Sequence, residues 1–280
     1  MSTLRPTESP RIGFVHVSIV AALVMLVSSW VFVLGWDRQQ SFSFFSTETA
    51  GRAWGFIQDL AGVGRTSEPA YAQLSEWSRT ARLAYDTLAM SVLAIMLAAM
   101  GALVTFMLGA RNVMGGGGLP AGVTFGLVRA SWAFARAVPE LVWALLAVFV
   151  FSPGILPGAI ALAIHNYGVL SKLAAEVVEG MDMRPVEALR SSGAGRGKAL
   201  VYGVLPQALP RFMTYLLYRW EVVIRTTIVV GFVAAGGLGM EFRLAMSNFH
   251  YTTVSLVLMW YLILVLGVDA ASAGLRRLAR

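Results

Sequence analysis

The chain has 280 residues, 57% of them hydrophobic and 13% charged, with a formal net charge of +7, a pI near 10.1 and a mean hydropathy of +0.69. That balance excludes an ordinary soluble domain and makes lipid the natural solvent. The absence of cysteine excludes disulfides, thiolate metal sites and thiol nucleophiles, and basic residues dispersed around apolar segments read as topology signals, with no nucleic acid as partner.

Crossing a bilayer takes roughly 20 mostly apolar residues, because only an intrahelical ladder satisfies every backbone amide in hydrocarbon. A closed barrel needs alternating strands of about 10 residues, whereas the apolar runs here are long and continuous. The expected fold is therefore all-α and integral to the membrane. Arg5 and Arg11 precede an apolar stretch from Gly13 to Gly35. Its length and the lack of a small-residue cleavage pattern predict a retained first span, closed by Trp36 at the interface. Residues 1–36 are then a tail and a span, and 37–84 an extracytoplasmic loop of mixed charge whose Ala72–Arg82 part forms a surface helix. A helical core follows over 85–280.

Helix two is expected from about Tyr85 to Gly109, and the glycines 115–118 with Pro120 break the chain after it. The apolar run Leu141–Phe151 is too short to span alone, so helix three should recruit residues back through Pro139 toward Leu127, leaving Arg129 and Arg136 near the surface. Ser152, Pro153 and Gly154 signal a hairpin, and helix four, about Ile155–Ala175, should return antiparallel. The stretch from Glu176 to Pro206 holds Arg184, Arg190, Arg196 and Lys198 without a spanning run, which predicts an aqueous loop with short helices. Helix five runs from about Leu209 to Val233, AAGGLG over residues 234–239 breaks it, and helix six occupies about Thr252–Leu275. The tail adds Arg276, Arg277 and Arg280. About six spans result. The basic residues place both termini and the 176–206 loop on the cytoplasmic side of a multi-pass protein.

The loop reads EALRSSGAGRGKALVYGVLPQALP from Glu187 to Pro210. Glu187, Ala188 and Leu189 open a short helix, Gly193 permits a sharp turn, and Leu205 with Pro206 closes a second helix before the membrane. This spacing resembles the EAA loop of ABC importer permeases: EAA, three residues, Gly, nine residues, then Ile-x-Leu-Pro. It departs with Leu189 for the second Ala and Gly203 for Ile, which thins the apolar side of that helix.

LYRWEVVIRTTIVVGFVAAGGLG from Leu217, PELVWALL from Pro139 and YGVLPQ around Pro206 resemble the phosphonate ABC transporter permease family over the region from Leu127 onward. The resemblance implies a type I, MetI-like permease of a prokaryotic inner membrane, with 85–280 as permease core and 176–206 as coupling loop. It further implies a second permease subunit, identical or paralogous, two ABC ATPase subunits that bind ATP and Mg, and an extracytoplasmic binding protein. In such an assembly the first short helix docks in a groove on the ATPase. This chain itself is then no enzyme and holds no cofactor. GAGRGK at Gly193–Lys198 fails as a phosphate loop, because Ala199 follows the lysine and position 192 is Ser.

Arg219, Glu221 and Arg225 are ionisable groups inside a span, where an unpaired charge costs about 3 kcal/mol or more. Glu221 and Arg225 are spaced to pair at i,i+4, while Arg211, Tyr215 and Arg219 share a helical face. Two readings stand: Arg219, with Arg225, lends positive potential to an anion passage, or the group is a structural ion pair between two permeases. Gly236, Gly237 and Gly239 permit close backbone approach, either as an outer gate or as a packing surface. Glu140 behind the Pro139 kink and the i,i+4 pair Lys172 and Glu176 read as structural pairs. His16, His165 and His250 are scattered and there is no HExxH helix or nucleophile elbow, so intramembrane catalysis lacks a constellation. Beyond phosphorus oxyanions, a permease for another small solute such as an amino acid, or a membrane sensor or scaffold without transport, also fits the residues.

Overall fold

The computed structural model describes residues 13–36, 46–64, 68–114 and 118–278. Arg5, Arg11, glycines 115–117, Arg280 and the side chain of Trp36 lie outside these residues. All regular structure among the described residues is helical.

Two compact units divide at Asp59 and Leu60. The first holds α1 (Phe14–Trp36) and most of α2 (Thr47–Leu60). The described side chains of α1 are exposed all round, as suits a helix whose apolar surface faces lipid. Helix α2 lies within the stretch 37–84 expected to be a loop. It starts where Ser46 Oγ accepts the Thr49 backbone N–H at 3.2 Å, with Glu48 in the first turn.

The second unit is a bundle around α3 (Leu74–Thr105) and α7 (Ile155–Glu179). Their contact is built from small residues: Ala94, Ala98, Ala99 and Ala102 of α3 and Ala159, Ala161, Ala174 and Ala175 of α7 are all buried. Short side chains let backbones approach and gain dispersion contact where lipid offers no hydrophobic driving force. The first turns of α3 continue directly into its span, so the expected surface helix at Ala72–Arg82 is no separate element. Helical propensity is uninterrupted there, with no Gly or Pro between Leu74 and Met100.

The short α4 (Arg111–Met114) leads to α5 (Gly118–Ala137), then α6 (Glu140–Phe151). The expected single helix from Leu127 to Phe151 is instead two rods bent by 92°. Pro139 forces the break, since it cannot donate and disfavours helix in the residue before it. Trp143 Nε1 donates to the freed Ala135 carbonyl at 3.0 Å, and His165 Nδ1 lies 3.2 Å from that of Val138. Backbone groups opened within a bilayer need such substitutes. The Ser152–Gly154 turn then brings the chain from α6 into α7, which packs against both α5 and α6.

After α7 come α8 (Arg184–Ser191), α9 (Arg196–Ala199), α10 (Leu205–Val230), α11 (Gly237–Ser247) and α12 (Tyr251–Leu278). The sequence reading passed over α11, which bends by 49° from the helix before it. Among the described residues three helices are long and apolar enough to cross a membrane, or up to five if each bent pair is one span. The 25 residues of α7 extend about 37 Å at about 1.5 Å each, and its buried Asn166 and Ser171 are hidden from lipid.

Candidate coupling loop and intramembrane charge site

Pro185 lies in the first turn of α8, where its missing N–H costs nothing. Ahead of it, Asp182 accepts from the Arg184 side chain at 2.8 Å and from its backbone N–H at 3.0 Å. Those donors, the side chain first, hold the Asp182 carboxyl below the ordinary aspartate range. The helix ends in a Schellman turn: Ala194 N–H donates to Leu189 O and Gly193 N–H to Arg190 O, both at 3.0 Å. Gly193 has φ +88°, a left-handed conformation that a Cβ disfavours.

Val186 is buried and Leu189 half-buried, while Glu187 and Ala188 point outward. The covered side rests on Gly203, where an added Cβ would stand 3.0 Å from Val186 and 3.3 Å from Leu189. Gly203 therefore does not thin an apolar contact; it creates the seat on which α8 lies.

Leu205 and Pro206 do not close a helix. From Arg196 the backbone runs through a widened turn at Leu200–Val204, with Leu205 N–H bonded to Leu200 O, straight into α10. Opening one turn to i→i+5 spacing accommodates a proline ring that lacks an N–H. Leu205 is half-buried and Pro206 exposed. The result is a rod from Arg196 to Val230, about 50 Å long at roughly 1.5 Å per residue. Because α7 enters α8 from one side and this rod leaves on the other, α8 links the two helices that carry the charge site.

Of the intramembrane trio, Glu221 and Arg225 do not pair with each other. Glu221 takes Arg276 of α12, which also donates to Ser272 Oγ at 2.5 Å. Arg225 pairs with Asp269 of α12 at 2.6 Å. Both bonds are struts between α10 and α12 within one chain. Arg219 is different: it donates Nε at 3.0 Å and Nη2 at 2.6 Å to Oδ1 of Asn166, which is 2% exposed. Among the described residues no carboxylate is within ion-pair distance of it, although Glu140 lies near enough to act on its charge. His165 Nε2 stands 3.8 Å from Glu140.

The glycines of AAGGLG form a packed corner. Gly236 and Gly237 have φ +87° and +65°, and a Cβ on Gly237 would sit 2.5 Å from Thr87 Oγ1. That hydroxyl accepts the Leu238 N–H at 2.8 Å. A Cβ on Gly239 would meet the Ile228 carbonyl at 2.2 Å. The geometry is close helix packing across α3, α10 and α11.

Residues 117–279 match the family of binding-protein-dependent transport system inner membrane components. The chain belongs to this family. The phosphite transport system permease protein PtxC of Stutzerimonas stutzeri is 36% identical over 215 residues, 77% of this chain and 75% of the relative. The phosphate-import permease protein PhnE of Mycolicibacterium smegmatis is 34% identical over 206 residues, 74% of this chain but only 38% of the relative. A putative cryptic phosphonate transport system permease protein, PhnE2 of Escherichia coli K12, is 40% identical over 118 residues, 42% of this chain and 97% of the relative. An inward-facing MetNI methionine ABC transporter gives a TM-score of 0.61 at 22% identity, covering 72% of this chain and 96% of the other. Likeness at that identity establishes a MetI-like fold for this inner membrane component.

Sequence reasoning missed Asn166, Asp269, Ser272 and Arg276 as partners of the trio. For Asn166 and Asp269 a signal existed: each is a strongly polar residue inside an apolar helix, where lipid exposure is costly and a partner is expected.

Proposed function

We propose that this inner membrane component is the translocating permease of an ATP-driven importer for a phosphorus oxyanion, phosphite, phosphate or phosphonate. The functions of its relatives, phosphite, phosphate and phosphonate transport, support that class. The single observation that carries it within the chain is Arg219, an intramembrane cation held by a neutral amide. Asn166 fixes the guanidinium without neutralising it, so its positive charge stays available to a passing anion. Glu221 and Arg225, already paired with α12, serve as struts of that passage, and Gly236, Gly237 and Gly239 as its packed corner.

In this reading the α8 end of the bundle and both termini are cytoplasmic. Glu187 and Ala188 face a groove on one of two ATPase subunits, which hold ATP and Mg. Val186 and Leu189 tie α8 to the rod at Gly203, and Gly193 shapes the turn between them. Movement of α8 pulls on α7 and α10 together, altering the Asn166–Arg219 contact. A second permease subunit completes the pathway and an extracytoplasmic protein delivers the solute.

Uptake by the reconstituted transporter tests this. Vanadate-sensitive accumulation of radiolabelled phosphite or phosphate, lost in Arg219→Gln protein of normal assembly, is the expected result. Equal uptake by wild type and Arg219→Gln would remove the anion path, and accumulation of an amino acid in place of the oxyanions would reassign the cargo.

A further inference from the structure

Lys172, Leu173 and Glu176 lie on an open stripe of α7 that begins at His165, beside the Asn166–Arg219 contact. The stripe is flanked by two clefts that share Glu176. One is lined by Leu173, Gly180, Arg211 and Tyr215. The other, of about 300 Å³, is lined by Arg111, Arg129, Arg136, Lys172, Glu176 and Glu179. At roughly 30 Å³ per water it holds about ten waters, room for a solvated oxyanion.

The charges in the second cleft do not cancel. Glu179 accepts Arg129 Nη2 and the Arg111 backbone N–H, each at 2.9 Å. Arg129 is further fixed by Gly109 O at 3.1 Å and by stacking 4.9 Å over the Phe125 ring. Glu176 pairs with Lys172 at 3.3 Å. Among the described residues, the guanidinium groups of Arg111 and Arg136 have no carboxylate partner. Two exposed, unpaired guanidinium groups lining one cleft match the charge and fork geometry of a tetrahedral phosphorus oxyanion. Basic residues at a membrane surface are ordinarily topology anchors, and anchors need not converge. Here they line one cleft, and Lys172 lies only about 9 Å along α7 from Asn166 at about 1.5 Å per residue.

We propose that the Arg111–Arg136 cleft is a second oxyanion site, at the α8 end of the bundle, which receives the transported phosphorus oxyanion after it leaves Arg219. The proposal rests on the importer reading above. Lys172, loosely held by Glu176, is a third cation within reach of an occupant.

The probe is inorganic phosphate, titrated against chloride at constant ionic strength into the complete transporter carrying Arg219→Gln, in nanodiscs of zwitterionic lipid. This background silences the intramembrane site. Phosphate should still raise the thermal unfolding midpoint, because ligand that binds only the folded state stabilises it. Adding Arg111→Gln or Arg136→Gln should weaken the apparent affinity about tenfold, and the pair should abolish the response. Arg136→Lys should keep part of it. A background without response, or a response that survives both substitutions, overturns the proposal. If anionic lipid in the nanodisc raises the midpoint through the same two arginines and phosphate does nothing, the occupant is a lipid headgroup and the proposal again falls. Absence of oxyanion uptake by the wild-type transporter, beside an intact phosphate response, would count against the importer reading and leave the cleft as an anion site.

Discussion

Arg219 donates two hydrogen bonds to the single Oδ1 atom of Asn166, at 3.0 and 2.6 Å, from one helix to another inside the bundle. A carboxylate there would satisfy the guanidinium and cancel its field; an amide satisfies only the geometry. Asn166→Asp should therefore leave assembly intact or improved while oxyanion uptake falls by at least tenfold. Asn166→Leu should destabilise by about 1.5–3 kcal/mol, the usual cost of losing bonds to a charged group. Thermal unfolding of the purified transporter and initial uptake rates separate the two effects. Unchanged uptake in Asn166→Asp would refute a role for free positive charge at this point.

Glu221 and Arg276 join α10 to α12, with Arg276 also reaching Ser272. Their side chains are 12% and 26% exposed, so removing one partner strands a largely covered charge. Glu221→Gln and Arg276→Gln are each expected to destabilise, with a coupling energy of about 1–3 kcal/mol in the double-mutant cycle. Surviving protein should transport at the normal rate. A uptake defect in stable Glu221→Gln protein would move this pair from strut to pathway.

Spans were legible in the sequence because apolarity and length are local properties, so α1 and α12 begin and end near their expected limits, whereas α3 starts eleven residues before Tyr85 because nothing between Leu74 and Met100 interrupts its helix. The turn that ends α8 was legible through Gly193, which takes a positive φ. Partner choice was not. Spacing offered Arg225 to Glu221, but Arg276 on α12 reaches it instead, a long-range fact that no window of sequence contains. The sharp bend at Pro139 likewise depends on Trp143 and His165 taking up the broken helix's carbonyls. Pro206 read as a terminator because the widened turn at Leu200–Val204, which lets the helix pass through it, leaves no local signature.

The packed corner at Gly237 and Gly239 gives a graded series. Gly237→Ala adds a Cβ at φ +65° and 2.5 Å from Thr87 Oγ1, for an expected loss of about 1–2 kcal/mol from conformation alone. Gly239→Ala places its Cβ 2.2 Å from a backbone oxygen that cannot swing away, and about 3 kcal/mol is expected. Gly193→Ala meets open space and should cost only about 1 kcal/mol. The unfolding midpoint should be lowest for Gly239→Ala, higher for Gly237→Ala and highest for Gly193→Ala. Equal midpoints would show that the corner is loose enough to serve as a gate.

Asp182 supplies a pH test of the loop entrance. Its carboxyl is held low by the Arg184 side chain and then by the Arg184 backbone. A depressed folded value means that the stabilisation is complete above the ordinary aspartate range, near pH 4, and is lost as pH falls through the lowered value. The loop entrance should thus be indifferent to pH between 5 and 8. Carbonyl NMR of labelled aspartate should place the Asp182 midpoint below the ordinary value, and Arg184→Gln should move it upward. An unmoved midpoint would mean that the contact is not maintained.

The helix is continuous from Arg196 through the widened turn to Val230. If this stretch acts as a rod, force applied at α8 reaches Arg219 only while the helix between them is stiff. Replacing Gln207 and Ala208 by glycines should soften it, at about 1 kcal/mol per residue of helix propensity. The expected phenotype is ATP hydrolysis that continues, or rises, while uptake falls several-fold. Glu187→Ala should give the complementary defect: its carboxylate is exposed, with no ion-pair partner among the described residues, so stability should be unchanged while stimulation of the ATPase by the loaded binding protein is lost. ATPase and uptake assays on one preparation read both ratios. Full coupling in the double-glycine variant would mean that α8 transmits its motion through α7 alone.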